Sequence, residues 1–154
     1  MFDLPFTLTS LHTAYRDGLP ASDVVEEVYR RIEEVSDPGI FIHLIDKAEL
    51  LEEAAALGSF DPARPLWGIP FVIKDNIDAA GKPTTAGCPA YQFLAETDAF
   101  VVAKLKAAGA LLIGKTNLDQ FATGLVGVRS PYQPPKNAVD PAMVPGGSSS
   151  GSAV

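Results

Sequence analysis

The sequence holds one cysteine, one tryptophan, two histidines and two methionines in 154 residues. A single thiol, Cys88, excludes an internal disulfide framework and a cysteine-based zinc site. No apolar run is long enough to span a bilayer. The opening MFDLPFTLTS lacks the basic stretch and apolar core of a secretory signal. Basic residues are scarce too: 12 Lys and Arg stand against 19 Asp and Glu, a formal net charge of −7. A nucleic-acid surface needs a basic patch, and the chain shows none. These absences lead to the expectation of a cytoplasmic protein with neither a nucleic acid nor a membrane as partner.

What is present is ordinary globular composition, with 47 % apolar and 20 % charged residues, which excludes a disordered or fibrous chain. The length suffices for one domain with a real core. No repeat and no interdomain linker is evident, so residues 1–154 are read without an internal domain boundary. After a short apolar entry, Ser22 is expected to cap a helix running to Val35, with Val24, Val25, Val28, Tyr29, Ile32 and Val35 on one stripe. Glu26–Arg30 and Glu27–Arg31 read as ion pairs on its solvated face. That wide stripe suits a subunit interface as readily as a core, so a homo-oligomer is compatible with the sequence. Ile40–Leu44 predicts a short buried strand. Asp46 and Glu49 form a capping box for a helix closed by Gly58. Residues 59–68 read as a surface connection. Phe71–Ile73 is a continuous apolar strand of the α/β type. A helix capped by Asp98, striped by Val101, Val102, Leu105 and Ala108, ends at Gly109, and the strand Ala110–Ile113 ends at Gly114. The alternation makes the class α/β. From Thr116 onward the chain reads mostly as loop.

The run Gly109-Ala-Leu-Leu-Ile-Gly114-Lys115-Thr116 matches the phosphate-loop pattern letter for letter. The chemistry also needs a strand before the first glycine, a loop of free amides and a helix from the lysine. Here a helix precedes Gly109 and the spacers are a buried strand, so the amides are spent in a sheet. No nucleotide site is expected.

Two features do not read as core. Lys74 directly follows the strand Phe71–Ile73, where an ammonium is costly unless paired or deprotonated. The bland alternative is a lysine that leaves the strand and pairs with Asp75. The second feature is Gly146-Gly-Ser-Ser-Ser-Gly-Ser152-Ala153, which is either a flexible linker or a fixed turn, since an apolar restart follows at once.

Together with Gly114–Gly124 (GKTNLDQFATG), the segments Gly68–Asn76 (GIPFVIKDN) and Gly146–Ala153 (GGSSSGSA) resemble, in order and spacing, the amidase signature family. The similarity runs from about Leu66 to the end of the sequence. It implies the N-terminal portion of the amidase signature fold, a mixed central sheet covered by helices, incomplete in these residues. It also implies amide hydrolysis by a Ser–cis-Ser–Lys triad acting on a small-molecule amide, without cofactor or metal. Residue by residue, the catalytic lysine is Lys74, the bridging serine is Ser148, and Gly147–Ser148 is the peptide expected to be cis. The nucleophilic serine and the oxyanion-binding amides are expected downstream of Val154, so the 154 residues alone are expected to be inactive. Ala122, Thr123 and Gly124 lie near the substrate by the same analogy, with a plain turn as the alternative.

Within the family the wording looks most like that of allophanate hydrolases, which release ammonia and carbon dioxide from N-carboxylated urea. Glutamine amidotransferase subunits that serve tRNA charging, which usually differ over Leu118–Gly124, are the second reading. A non-catalytic binding subunit is the reading from another class. His12 and His43 have no ligand-spaced partners and read as structural or surface residues. Cys88 has no neighbouring histidine to activate it, and Arg129 is a loop residue without an assigned role.

Overall fold

A computed structural model describes residues 4–154. In chain order the elements are α1 (Leu8–Arg16), α2 (Ala21–Val35), β1 (Phe41–Leu44), α3 (Lys47–Ala56), β2 (Pro70–Lys74), β3 (Pro83–Thr84), β4 (Phe93–Leu94), α4 (Phe100–Ala107), β5 (Leu111–Thr116) and α5 (Ser150–Ala153). β1, β5 and β2 form one sheet in that order, and β3 pairs with β4 in a small hairpin. β1 is antiparallel to β5, with Leu44 opposite Gly114. The Leu111 N–H donates to Ile69 O and the Asp75 N–H to Thr116 O, so β2 and β5 run in the same direction. The sheet is therefore mixed and the class α/β. Among the described residues no helix is long and apolar enough to cross a membrane.

The contacts divide the chain into two compact units, the first made of residues 1–35, 45–71 and 103–113. Its core is apolar: Leu11, Val24, Val25, Leu50, Leu112 and Trp67 are each at most 2 % exposed. α1 lies where only an apolar entry was expected. The Thr7 hydroxyl accepts the Ser10 N–H, and Leu11 and Tyr15, four apart, are buried. α2 begins at Ala21, directly after Pro20, so Ser22 stands inside the first turn and is not its cap. Of its expected stripe, Val24, Val25 and Tyr29 are buried, whereas Val35 is exposed. The charged face is also not simply solvated. Glu27 is buried and holds both Arg30 and Arg31 at 2.7 Å, while Glu26 pairs with Lys47 instead of Arg30. Those two guanidiniums hold the Glu27 carboxyl at about 2. α3 is capped as expected, the Asp46 carboxylate accepting the Ala48 and Glu49 N–H groups.

The connection 59–68 is not a mere surface loop. Trp67 packs edge-on to Tyr15 at 4.9 Å and to Phe60 at 5.5 Å, and the Tyr15 hydroxyl donates to Gly68 O at 2.7 Å. Burial of one large ring outweighs the local signal of two nearby prolines.

The second unit comprises residues 36–44, 72–102 and 114–154. Its interior carries an unusual load of polar groups: Asp75, Thr84, Thr85, Lys115, Thr116, Asn117, Asp119 and Ser150 are all buried. Such residues are rarely fully buried unless paired. β5 does not stop at Gly114 but continues to Thr116, every residue of it buried. The Gly109–Thr116 run follows α4 and enters this strand, the context in which its amides serve a sheet.

Candidate active site

Lys74 is the last residue of β2, half-buried, and its Nζ stands 2.6 Å from Ser148 Oγ across 74 residues of sequence. The lysine does not pair with Asp75. The Asp75 carboxylate faces the other way, accepting the Thr85 N–H at 2.9 Å and the Thr85 hydroxyl, with Lys115 Nζ at 3.1 Å. The alternation of side chains along a strand sends neighbours to opposite faces, and here it separates the two ammonium groups. Lys115 Nζ also reaches Pro83 O at 2.6 Å and the Thr84 hydroxyl at 2.5 Å.

The glycine-serine segment is a fixed turn. The Gly147–Ser148 peptide is cis. Ser148 O accepts the Asp119 N–H at 2.9 Å, the Gly151 N–H donates to Asn117 O at 3.0 Å, and the Ser152 and Thr116 hydroxyls are 2.7 Å apart. The segment thus hangs on residues 116–119 from both of its ends. Asn117 in turn donates to Gly39 O and Gln133 O, both at 2.9 Å.

Burial lowers the Lys74 pKa from its ordinary value, and the Asp119 charge pulls the other way. Lys115 is lowered by burial as well, with Asp75 opposing. Two lysines shifted in the same direction therefore stand in different company. Lys115 is enclosed by a carboxylate, a carbonyl and a hydroxyl, whereas Lys74, among the described residues, meets a serine hydroxyl at close range. A lysine base needs a neutral amine next to a group whose proton can move, and Lys74 has that geometry.

Ala122 and Thr123 are exposed in a turn where Phe121 and Ala122 adopt positive φ, and Gly124 is buried. The Ala122 N–H donates to Asp119 O, and the Thr123 hydroxyl donates to Gln120 O at 2.7 Å. Their link to Ser148 runs through Asp119. A Cβ at Gly124 would lie 2.3 Å from the Asp119 carboxyl carbon, so no other residue fits there without displacing that carboxylate. His12 lies 5.9 Å from the Phe60 ring, and His43 sits opposite Lys115 on β1. Cys88 is a half-buried free thiol, and the exposed Arg129 touches this region through its main chain, its N–H donating to Asp119. Among the described residues no three His, Cys, Asp or Glu are gathered as metal ligands.

The family model Amidase matches residues 23–154. The chain belongs to the amidase family. It is 52 % identical over 119 residues to a urea amidolyase of Lachancea kluyveri, covering 76 % of this chain and 6 % of that protein. It is 44 % identical over 160 residues to a glutamyl-tRNA(Gln) amidotransferase subunit from Nitratidesulfovibrio vulgaris (strain DP4), covering 95 % of this chain and 32 % of that one. In structure it matches a variant of Kluyveromyces lactis allophanate hydrolase with a TM-score of 0.83 and 38 % identity, over 99 % of this chain and 25 % of that one. The chain thus spans a third or less of the length of each of these amidase-family proteins.

Asp119 and Lys115 were not singled out from the sequence. Asp119 was readable only as one letter of a motif. Lys115 was hidden in the phosphate-loop look-alike, although a lysine just past Gly114 and the apolar run Leu111–Ile113 is itself a signal of a buried partner.

Proposed function

We propose that Lys74 and Ser148 are the base and the proton relay of an amide-hydrolysing Ser–cis-Ser–Lys triad, in a protein that acts on allophanate. The observation that carries this reading is the 2.6 Å contact between Lys74 Nζ and Ser148 Oγ, with no carboxylate among the described residues hydrogen-bonded to that amine and burial lowering its pKa. A serine hydroxyl attacks a carbonyl only when a base takes its proton. The attacking serine, supplied from outside these 154 residues, passes its proton to Ser148 Oγ as Ser148 passes its own to neutral Lys74. The carbonyl carbon bonds to the serine, the C–N bond breaks, and the proton held by Lys74 returns through Ser148 to the leaving nitrogen. Water then hydrolyses the acyl-enzyme by the same relay. In this reading Ala122, Thr123 and Gly124 border the amide, Gly124 letting its turn pack directly against the Asp119 carboxylate. The 154 residues are read as the N-terminal part of a single amidase domain that needs the remainder for turnover, with no cofactor required by this chemistry.

Similarity to urea amidolyase at 52 % identity and to allophanate hydrolase in structure supports the substrate. The 44 % identity to the amidotransferase subunit over nearly the whole chain supports a second reading, glutamine hydrolysis for tRNA charging. Ammonia release by the full protein separates them. Allophanate turnover in the absence of other components is the expected result; glutamine turnover that depends on a charged tRNA would replace it with the second reading.

A further inference from the structure

Lys74 and Ser148 meet across 74 residues of sequence, so their contact depends on what places the glycine-serine turn. Asp119 is the residue on which the surrounding chain converges. Its carboxylate is fully buried, with Oδ2 accepting the Gly127 N–H at 3.0 Å and Oδ1 the Arg129 N–H at 2.8 Å. Its own N–H donates to Ser148 O at 2.9 Å. A Cβ at Gly147 would stand 2.5 Å from Asp119 Oδ2, and one at Gly124 would stand 2.4 Å from the same oxygen. Asp119 therefore ties two segments together, 124–129 through its carboxylate and Ser148 through its own N–H, with the carboxylate packed against Gly147. Both groups that donate to it are uncharged amides, so its negative charge is left to act on its surroundings.

We propose that Asp119 is a positioning residue for the Lys74–Ser148 pair, holding Ser148 within reach of Lys74 through the main chain. The proposal rests on the hydrolase reading of that pair. The titratable groups on the neighbouring elements have partners of their own. On β5, Lys115 is paired with Asp75, the residue after Lys74. Asp78 accepts the Thr84 hydroxyl at 2.8 Å, the Tyr132 hydroxyl lies 3.5 Å from that of Thr85, and His43 stands opposite Lys115. Asp119 is the carboxylate whose field opposes the burial of Lys74.

The test follows the Lys74 titration in the full protein by NMR of lysines labelled at Cε, the signal being assigned by its loss in Lys74→Ala. In Asp119→Asn the Lys74 midpoint is expected to fall, because a charge that favours the ammonium is gone. The acid limb of kcat/KM for ammonia release should move to lower pH with it. kcat should fall at least about tenfold, since an amide nitrogen then faces one of two N–H donors. Asp119→Ser, smaller and still an acceptor, carries the same expectations should the asparagine variant not fold. A folded variant whose Lys74 midpoint is unmoved overturns the proposal, whatever its activity, because a purely structural role predicts that result. The midpoint is read without turnover, so a wild-type protein inactive on amides would instead overturn the hydrolase reading.

Discussion

A lysine works as a base only while neutral, and Lys74 has the surroundings for it: burial that lowers its pKa and a hydroxyl at 2.6 Å. Turnover of the full protein should therefore rise with pH through the Lys74 pKa, and that rise should lie below the 10.5 of an ordinary lysine. Lys74→Arg keeps the charge and should still lose about 10²–10⁴-fold in kcat, because a guanidinium stays protonated. Near-normal turnover in that variant would mean that the side chain serves as a cation. Glu27 makes the opposite case, a carboxyl lowered from 4.5 to about 2 by its bonds to Arg30 and Arg31. Its folded pKa is depressed, so its stabilisation is present above about pH 4.5 and is lost as pH falls through about 2. Glu27→Gln should flatten the loss of Tm over that window, and an unchanged acid limb would contradict the pairing. The meeting of Lys74 and Ser148 was legible because their motifs are local and come in a fixed order. Glu27 was not, since a glutamate four before an arginine looks the same on a solvated face as in a buried fork.

At the scale of elements, β5 shows what local reading misses. Gly114 and Lys115 look like the end of a strand, yet the strand runs on to Thr116 because Asp75, Pro83 and Thr84 supply partners for a buried ammonium. Those partners lie about 30 or more positions back and leave no trace near Lys115. Lys115→Met should cost about 3–5 kcal/mol in urea unfolding by leaving Asp75 charged and buried, and pairing it with Asp75→Asn should recover much of the loss. Equal destabilisation by the single and double variants would rule out the ion pair as the cause. α3 was readable because its determinants are adjacent residues. Asp46→Ala should lower stability by about 1 kcal/mol, seen as a lower urea midpoint with unchanged slope. α1 was missed because only Leu11 and Tyr15 mark its apolar side, and its burial is set by Trp67 and Phe60, far along the chain.

The whole molecule divides its labour between two kinds of interior. The first unit buries mainly aliphatic and aromatic side chains, Glu27 being the exception on α2, and the second buries many ionisable and hydroxyl groups that hold the β2 end and the glycine-serine turn in place. The alternation of strands and helices was enough to give the α/β class. Which residues form the polar interior was not legible, because it depends on contacts among segments around residues 40, 75, 85, 117 and 150. The proposed mechanism is that Lys74 and Ser148 together drive amide hydrolysis. Its most direct test is ammonia release from allophanate by the full protein and by its Lys74→Ala and Ser148→Ala variants, each shown to be folded by circular dichroism. Both variants are expected to lose about 10²–10⁴-fold in kcat. Near-normal ammonia release from either folded variant would contradict the assignment of base and relay.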